Sequence, residues 1–139
     1  MQSIQFEQLT EGSELPPFVT APLSRLTLAL YAGASGDHNP IHVDLDFARK
    51  AGMPDVFAHG MLSMAWLGRL LTLWVDQRQL RQFGVRFVGI TQLGHVIACT
   101  GRVVEKFEAE GEKRVKIELQ TANQYGEPRV VGDAVVALQ

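Results

Sequence analysis

The residues from 60 to 76 are apolar at nearly every position, and this run constrains the fold more than any other feature of the chain. Its spacing predicts a long helix with only a thin polar stripe, made of Ser63, Arg69 and Thr72. Such a helix is expected to be buried nearly all round. Because Arg69 breaks the run and the run is too short to span a bilayer, we expect other parts of the chain to wrap it.

The second half of the chain supplies this wrapping as four predicted strands, at 80–90, 96–105, 114–123 and 129–138. The third is clearest, because Val115, Ile117 and Leu119 alternate with polar residues. Glu110-Gly111 and Tyr125-Gly126 predict tight turns between neighbouring strands. We therefore predict an α+β fold, in which an antiparallel sheet curls around one long central helix.

The first half of the chain predicts shorter elements. A brief extended piece is expected at 18–20, after two prolines. Ser24 is a good N-cap for a first helix, which Gly33 and Gly36 bracket at its end. Asp44 is a good N-cap for a short second helix that stops at Gly52.

Composition narrows the class of protein. Hydrophobic residues make up 46% and charged residues 20% of the 139 residues, with a net charge of −2 and scattered basic residues. This balance argues against a nucleic-acid or membrane partner. The single cysteine, Cys99, excludes an internal disulfide, and the chain has no start resembling a signal peptide, so we expect a cytoplasmic protein. Without repeats or linkers, residues 1–139 are predicted to form one domain.

Reactive side chains concentrate between residues 31 and 42. Asp37 and His42 are separated by Asn39-Pro40, and a turn there brings both side chains to one small volume. A carboxylate and an imidazole that converge on one water form a general acid/base site. The residue types alone favour a plainer reading, in which Asp37 caps a turn and His42 is an ordinary loop histidine. A metal set of His38, His42 and Asp44 is weaker still, because zinc-type spacing is missing.

The longer string changes this balance. It resembles the signature of the MaoC-like dehydratases and (R)-specific enoyl-CoA hydratases through Tyr31, Ser35, Gly36, Asp37, Asn39, Pro40, His42, Asp44, Phe47 and Ala48. A second hallmark of that family is similar to the segment 58–62, at the predicted start of the long helix, and a third to 85–87. The chain departs from the family at 90–95, where a proline and Pro-Gly-Asp are usual.

The resemblance implies a hot-dog fold in which a segment around 35–50 overhangs the helix, with the active site at a dimer interface. It places the catalytic pair at Asp37 and His42, a site-orienting asparagine at Asn39, and the amide that polarises the thioester carbonyl at Gly60. The implied reaction interconverts trans-2-enoyl and (R)-3-hydroxyacyl thioesters, carried by coenzyme A or acyl carrier protein. No metal or redox cofactor is expected, because the thioester already acidifies the α-carbon.

Two further expectations concern residues near the start of the long helix. We expect His59 to be a packed, hydrogen-bonded scaffold residue. If Gly60 holds the thioester, the acyl chain should follow the helix along Met61, Met64, Ala65 and Trp66.

Two rival functions share this fold: an acyl thioesterase, and a subunit of a heteromeric hydratase complex. We expect at least a homodimer, with a heterodimer as the alternative. The reason is that apolar residues such as Val131 and Val135 are predicted on the sheet face turned away from the helix.

Overall fold

The computed structural model describes residues 3–139. Its helices are α1 (Arg25–Ser35), α2 (Leu45–Lys50) and α3 (Gly60–Trp74). Its strands are β1 (Phe18–Val19), β2 (Leu80–Phe87), β3 (Ala98–Ala109), β4 (Glu112–Ala122) and β5 (Pro128–Leu138). Short 3-10 turns cover Phe6–Gln8, Pro40–His42 and Gln77–Gln79.

The five strands form one antiparallel sheet in the order β1-β3-β4-β5-β2. The β3–β4 hairpin turns through Glu110 and Gly111, at φ 53° and 74°, as the predicted tight turn requires. At the next connection, the side-chain oxygen of Asn123 accepts hydrogen bonds from the amides of Tyr125 and Glu127. The antiparallel sheet packed on one long helix confirms the predicted α+β class.

The main core lies between α3 and one face of the sheet. Alternate residues of β4 and β5, such as Ile117 and Ala134, meet Leu67, Leu70 and Leu71 of the helix there, and all five are buried. The predicted alternation of β4 therefore describes its two faces correctly.

The expectation that α3 is buried nearly all round is wrong for the single chain. Met61 and Leu73 are 56% and 55% exposed, whereas Ser63, assigned to the polar stripe, is buried. Five strands cover one side of a helix, so its far side stays open. Val135 lies on the sheet face turned away from α3, as predicted, because its neighbours Ala134 and Val136 are in the core. It is only 8% exposed, with Lys116 and Gln82 beside it in the register, so it offers little free apolar surface.

A second apolar cluster holds the chain between α1 and α3. It consists of Leu23, Leu28, Ala48, Val56, Ala58 and Leu62. Half-buried Trp66 packs against both this cluster and the main core. The segment 36–59 thus forms a layer over the start of α3.

Several predicted boundaries shift for local reasons. β2 ends at Phe87 because the amides of Val88 and Gly89 both donate to the Arg129 carbonyl, which breaks the regular ladder. β3 extends to Ala109 because it stays paired with β4 up to the hairpin. α3 ends at Trp74, since Val75 is extended and Asp76 caps the next 3-10 turn. Within residues 3–139, no helix is both long and apolar enough to cross a membrane.

Candidate active site

The loop after α1 is folded by a chain of short side-chain hydrogen bonds. Gly36 ends the helix at φ 75°, and the Asp37 amide then donates to Ser35 Oγ at 3.1 Å. Asp37 Oδ1 accepts from the Asn39 amide at 3.2 Å, and Asn39 Oδ1 accepts from the Ile41 amide at 3.1 Å. Asn39 therefore caps the 3-10 turn that carries His42. Asp37 does shape a turn, as the plainer reading holds, yet its side chain also stays exposed.

A main-chain carbonyl holds the His42 ring in one orientation. Its Nδ1 lies 2.8 Å from the carbonyl oxygen of Phe57, and the side chain is buried. A carbonyl only accepts, so Nδ1 carries the proton in neutral His42 and Nε2 keeps its lone pair. No sequence pattern indicates Phe57, because the group that contacts His42 is its main-chain carbonyl.

His59 lies directly against this pair. It is fully buried, and its ring stacks on His42 with centroids 3.9 Å apart. The Tyr31 ring packs edge-on against it, with centroids 4.8 Å apart. His59 Nε2 lies 3.2 Å from the Asp37 carbonyl oxygen, while Nδ1 has no hydrogen-bond partner among the residues that the structure describes. Burial, and then the neighbouring His42, lower the pKa of His59. Burial also raises the pKa of Tyr31, with Asp37 adding to the effect.

One ligand-type atom from each of Asp37, His42 and His59 lies within 4.8 Å of the others, so these are the residues around which a metal could be held. The weaker set drawn from the sequence does not come together in this way. His38 is exposed, and the Asp44 carboxylate is used to cap α2 through the amides of Asp46 and Phe47.

Gly60 is the first residue of α3, and no acceptor is recorded for its amide within residues 3–139. The first amides of a helix lack intrahelical partners and lie at its positive end. The ring of Phe87 lies 3.4 Å from the place that a Cβ on Gly60 would take. The predicted oxyanion donor is thus free and lies beside an aromatic side chain of β2.

The residues predicted to line the acyl path fall on the open side of α3. Met61 and Ala65 are exposed, and Met64 and Trp66 are half-buried. Ala65 and Trp66 line an open groove of about 600 Å³ together with Gly68, Arg69, Thr72, Gln77 and Leu80. Met61 and Met64 lie outside its lining, so the single chain offers a groove along part of the predicted path.

The segment 90–95, where the sequence departs from the family pattern, contacts the residues that lead into α3. The Thr91 carbonyl accepts from the Ala58 amide at 2.9 Å, and Phe57 forms a bridge with Gln92. These contacts hold the chain just before His59 and Gly60. A different loop sequence therefore supports the segment that contacts His42.

Comparison with known proteins places these features in context. The model of the "MaoC like domain" family matches residues 8–124. Fatty acid synthase subunit beta of Saccharomyces cerevisiae is 35% identical over 98 residues, which is 63% of this chain and 5% of that protein. The 3-hydroxyacyl-thioester dehydratase X of Mycobacterium tuberculosis is 40% identical over 50 residues, 36% of this chain and 18% of that protein.

Among solved structures, the R-hydratase PhaJ1 from Pseudomonas aeruginosa superposes with a TM-score of 0.85 at 26% identity. The match covers 99% of this chain and 87% of that one. The hot-dog architecture implied by the sequence is thereby confirmed. The chain spans only a small part of the curated relatives that it matches, whereas it spans most of this hydratase.

Proposed function

Because the chain belongs to the MaoC-like dehydratase family, we propose that it is a hydro-lyase that interconverts trans-2-enoyl and (R)-3-hydroxyacyl thioesters. The observation that carries this proposal is the convergence of Asp37 and His42, two residues of the family signature, with His59, which directly precedes Gly60. The hydratase and dehydratase relatives support the same reaction class.

In the proposed reaction, Asp37 and His42 hold one water molecule. His42 Nε2 takes a proton from this water as its oxygen bonds to the β-carbon of the enoyl thioester. The Asp37 carboxylate orients the water and stabilises the imidazolium that forms. The same proton then passes to the α-carbon, which regenerates neutral His42. Hydration adds one water and leaves the enzyme unchanged, and dehydration is the reverse.

The Gly60 amide is proposed to stabilise the enolate oxygen that forms when the β-carbon is attacked. Its position at the positive end of α3 favours developing negative charge. Losing one such donor typically costs an enzyme on the order of 3 kcal/mol in transition-state stabilisation. Asn39 contributes indirectly, since it caps the turn that carries His42.

The proposed substrate carrier is coenzyme A or acyl carrier protein, with no metal or redox cofactor. The thioester itself acidifies the α-carbon, so the residues named above are sufficient for the proton transfers. We also propose a cytoplasmic location, which the single, buried and unpaired Cys99 supports.

We propose that the working form is a homodimer. Among residues 3–139, β2 pairs only with β5, so no described strand pairs with its outer edge, and unpaired edges invite pairing. At the end of β2 and just after it, Phe87, Val88 and Ile90 are 53%, 49% and 42% exposed. A second copy placed here would cover apolar surface beside Gly60. A heteromeric partner in the same place is the alternative.

A thioesterase of the same fold is the main rival, because it would use the same groups to direct water at the carbonyl carbon. One assay separates the two. Enoyl thioesters of several chain lengths are incubated with the protein, while the ultraviolet absorbance of the conjugated system and the release of free thiol are both followed. Loss of conjugation without thiol release supports hydration, and thiol release as the main event would refute it.

A further inference from the structure

We propose that His59 is a positioning residue that fixes the acid/base pair relative to the oxyanion donor. This inference rests on the proposed function. His59 directly precedes Gly60 in the chain, its Nε2 contacts the Asp37 carbonyl, and its ring stacks on His42. It therefore contacts both members of the pair and is covalently joined to the donor.

The hydrogen-bond pattern defines the state of His59. The Asp37 carbonyl only accepts, so Nε2 carries the proton and donates it at 3.2 Å. Nδ1 is then an unprotonated nitrogen inside the protein. A second proton would place a buried positive charge face to face with His42, whose ring centroid is 3.9 Å away. His59 is thus held as a neutral hydrogen-bond donor, and burial lowers its pKa in the same sense.

A purely structural role fits these contacts poorly. His59 occupies the N-cap position of α3, yet its side chain makes no cap hydrogen bond to the helix. Within residues 3–139, the side chain instead makes a single hydrogen bond, to the main chain of Asp37, 22 positions earlier in the sequence. A buried nitrogen without a partner is normally unfavourable. A leucine would fill this space without that penalty, but could not restrain the Asp37 peptide.

The restraint matters because the two halves of the site lie on different segments. The loop 36–42 carries Asp37 and His42, whereas the start of α3 carries the Gly60 amide. Without the Nε2 hydrogen bond, the Asp37 carbonyl loses its contact with the residue that precedes Gly60, and the carboxylate shifts relative to the donor. A misplacement of about 1 Å can lower turnover by about 10²-fold. Substrate binding along the groove is unaffected, so kcat should fall while KM changes little.

The test compares His59→Leu with His59→Gln. Leucine fills the space without a donor, and the glutamine side-chain amide can place an N–H near the position of Nε2. We expect His59→Leu to lose about 10²-fold in kcat with KM within about threefold. His59→Gln should recover at least tenfold of that loss. His38→Gln, which changes an exposed histidine of the same loop, serves as the matched control and should behave as wild type.

A second readout needs no activity. The amide NMR signals of Asn39 and Ile41 report the loop hydrogen bonds to Asp37 Oδ1 and Asn39 Oδ1. They should shift in His59→Leu and return toward wild type in His59→Gln.

Unchanged signals in His59→Leu overturn the proposal, as does equal activity of the two variants. If wild type hydrates no enoyl thioester, the proposed function fails, and the NMR comparison still decides whether His59 positions this loop. If His59→Leu does not fold, His59→Phe replaces it in both measurements.

Discussion

His42 Nδ1 and the Phe57 carbonyl oxygen are 2.8 Å apart, and this contact determines which nitrogen of the ring is available for proton transfer. With Nδ1 protonated and held by the main chain, only Nε2 can take a proton from water. The imidazole is therefore oriented before any substrate arrives. Removing the ring would leave the Phe57 carbonyl without this donor and His59 without its stacking partner.

The first prediction concerns this pair. His42→Ala and Asp37→Asn should each lower hydratase turnover by about 10²–10⁴-fold, the usual contribution of a general acid or base. Steady-state kinetics on an enoyl thioester measure the loss, and circular dichroism confirms that the fold is retained. Losses below tenfold in both variants would remove the pair from the mechanism. Normal turnover per folded molecule with a lower melting temperature would instead support the simple capping role of Asp37.

The second prediction isolates the Gly60 amide. Proline is tolerated as the first residue of a helix, and the preceding His59 has the extended ψ of 138° that proline favours. Gly60→Pro should therefore fold but lack the N–H, and lose about 10²–10³-fold in kcat. Gly60→Ala keeps the N–H and adds a Cβ about 3.4 Å from Phe87, an ordinary contact distance, so it is the matched control. Equal kcat in the two variants would show that this amide is not the donor.

The third prediction concerns chain length. Ala65→Leu should fill part of the groove on α3 and favour short substrates over long ones. Excluding three methylenes, at about 0.8 kcal/mol each, should change the ratio of kcat/KM for long and short substrates by roughly 50-fold. Leu73→Ala, an exposed site of the same helix outside the groove, should leave the profile unchanged. An unaltered profile in folded Ala65→Leu would place the acyl chain elsewhere.

The fourth prediction concerns assembly. Sedimentation at micromolar concentration should show a species of twice the 15.4 kDa chain mass. Val88→Lys places a charge in the apolar surface beside β2 and should weaken the dimer at least tenfold. Val19→Lys, which is 57% exposed on the opposite edge strand, should not. A monomeric wild type contradicts the homodimer, and a monomer that is also inactive alone would favour a heteromeric complex.

The fifth prediction concerns acid stability. Glu112 accepts hydrogen bonds from Arg81 and Arg114, and these, Arg81 above all, lower its pKa to about 2. The ionised carboxylate therefore stabilises the fold above its ordinary pKa of about 4.5, and this contribution is lost as the pH falls toward 2. In Glu112→Gln, the melting temperature should therefore fall less steeply than in wild type as the pH is lowered from about 4.5 toward 2. Glu11→Gln, at an exposed residue without a recorded ion pair, should keep the wild-type slope.

Much of the fold could be predicted because it depends on local pattern. The alternation around Ile117 and the Glu110-Gly111 turn are properties of a few adjacent residues, and both were read correctly. The exposure of Met61 could not be read in this way. It depends on how many strands cover α3, which is decided by the whole sheet rather than by the helix sequence.

The candidate site likewise combines features that local sequence predicts with contacts that only the fold determines. The signature placed Asp37 and His42 in one polar turn, and the structure brings them together. The stacking of His42 on His59 and the contact with Phe57 join segments 15 or more residues apart. No local pattern encodes such contacts. The sequence suggested a hydrogen-bonded His59, but not that its partner is the main chain of Asp37.

The layer over the start of α3 rests on its own small apolar cluster, separate from the core under the sheet. Regions with fewer buried apolar contacts open at lower free energy than the core, so this layer should loosen first on warming. The far-ultraviolet spectrum is dominated by the sheet and α3, and would barely register that event. The enzyme would then stop turning over well below its melting temperature. Heat tolerance of catalysis and heat tolerance of the fold are consequently separate properties, adjustable by substitutions in different clusters.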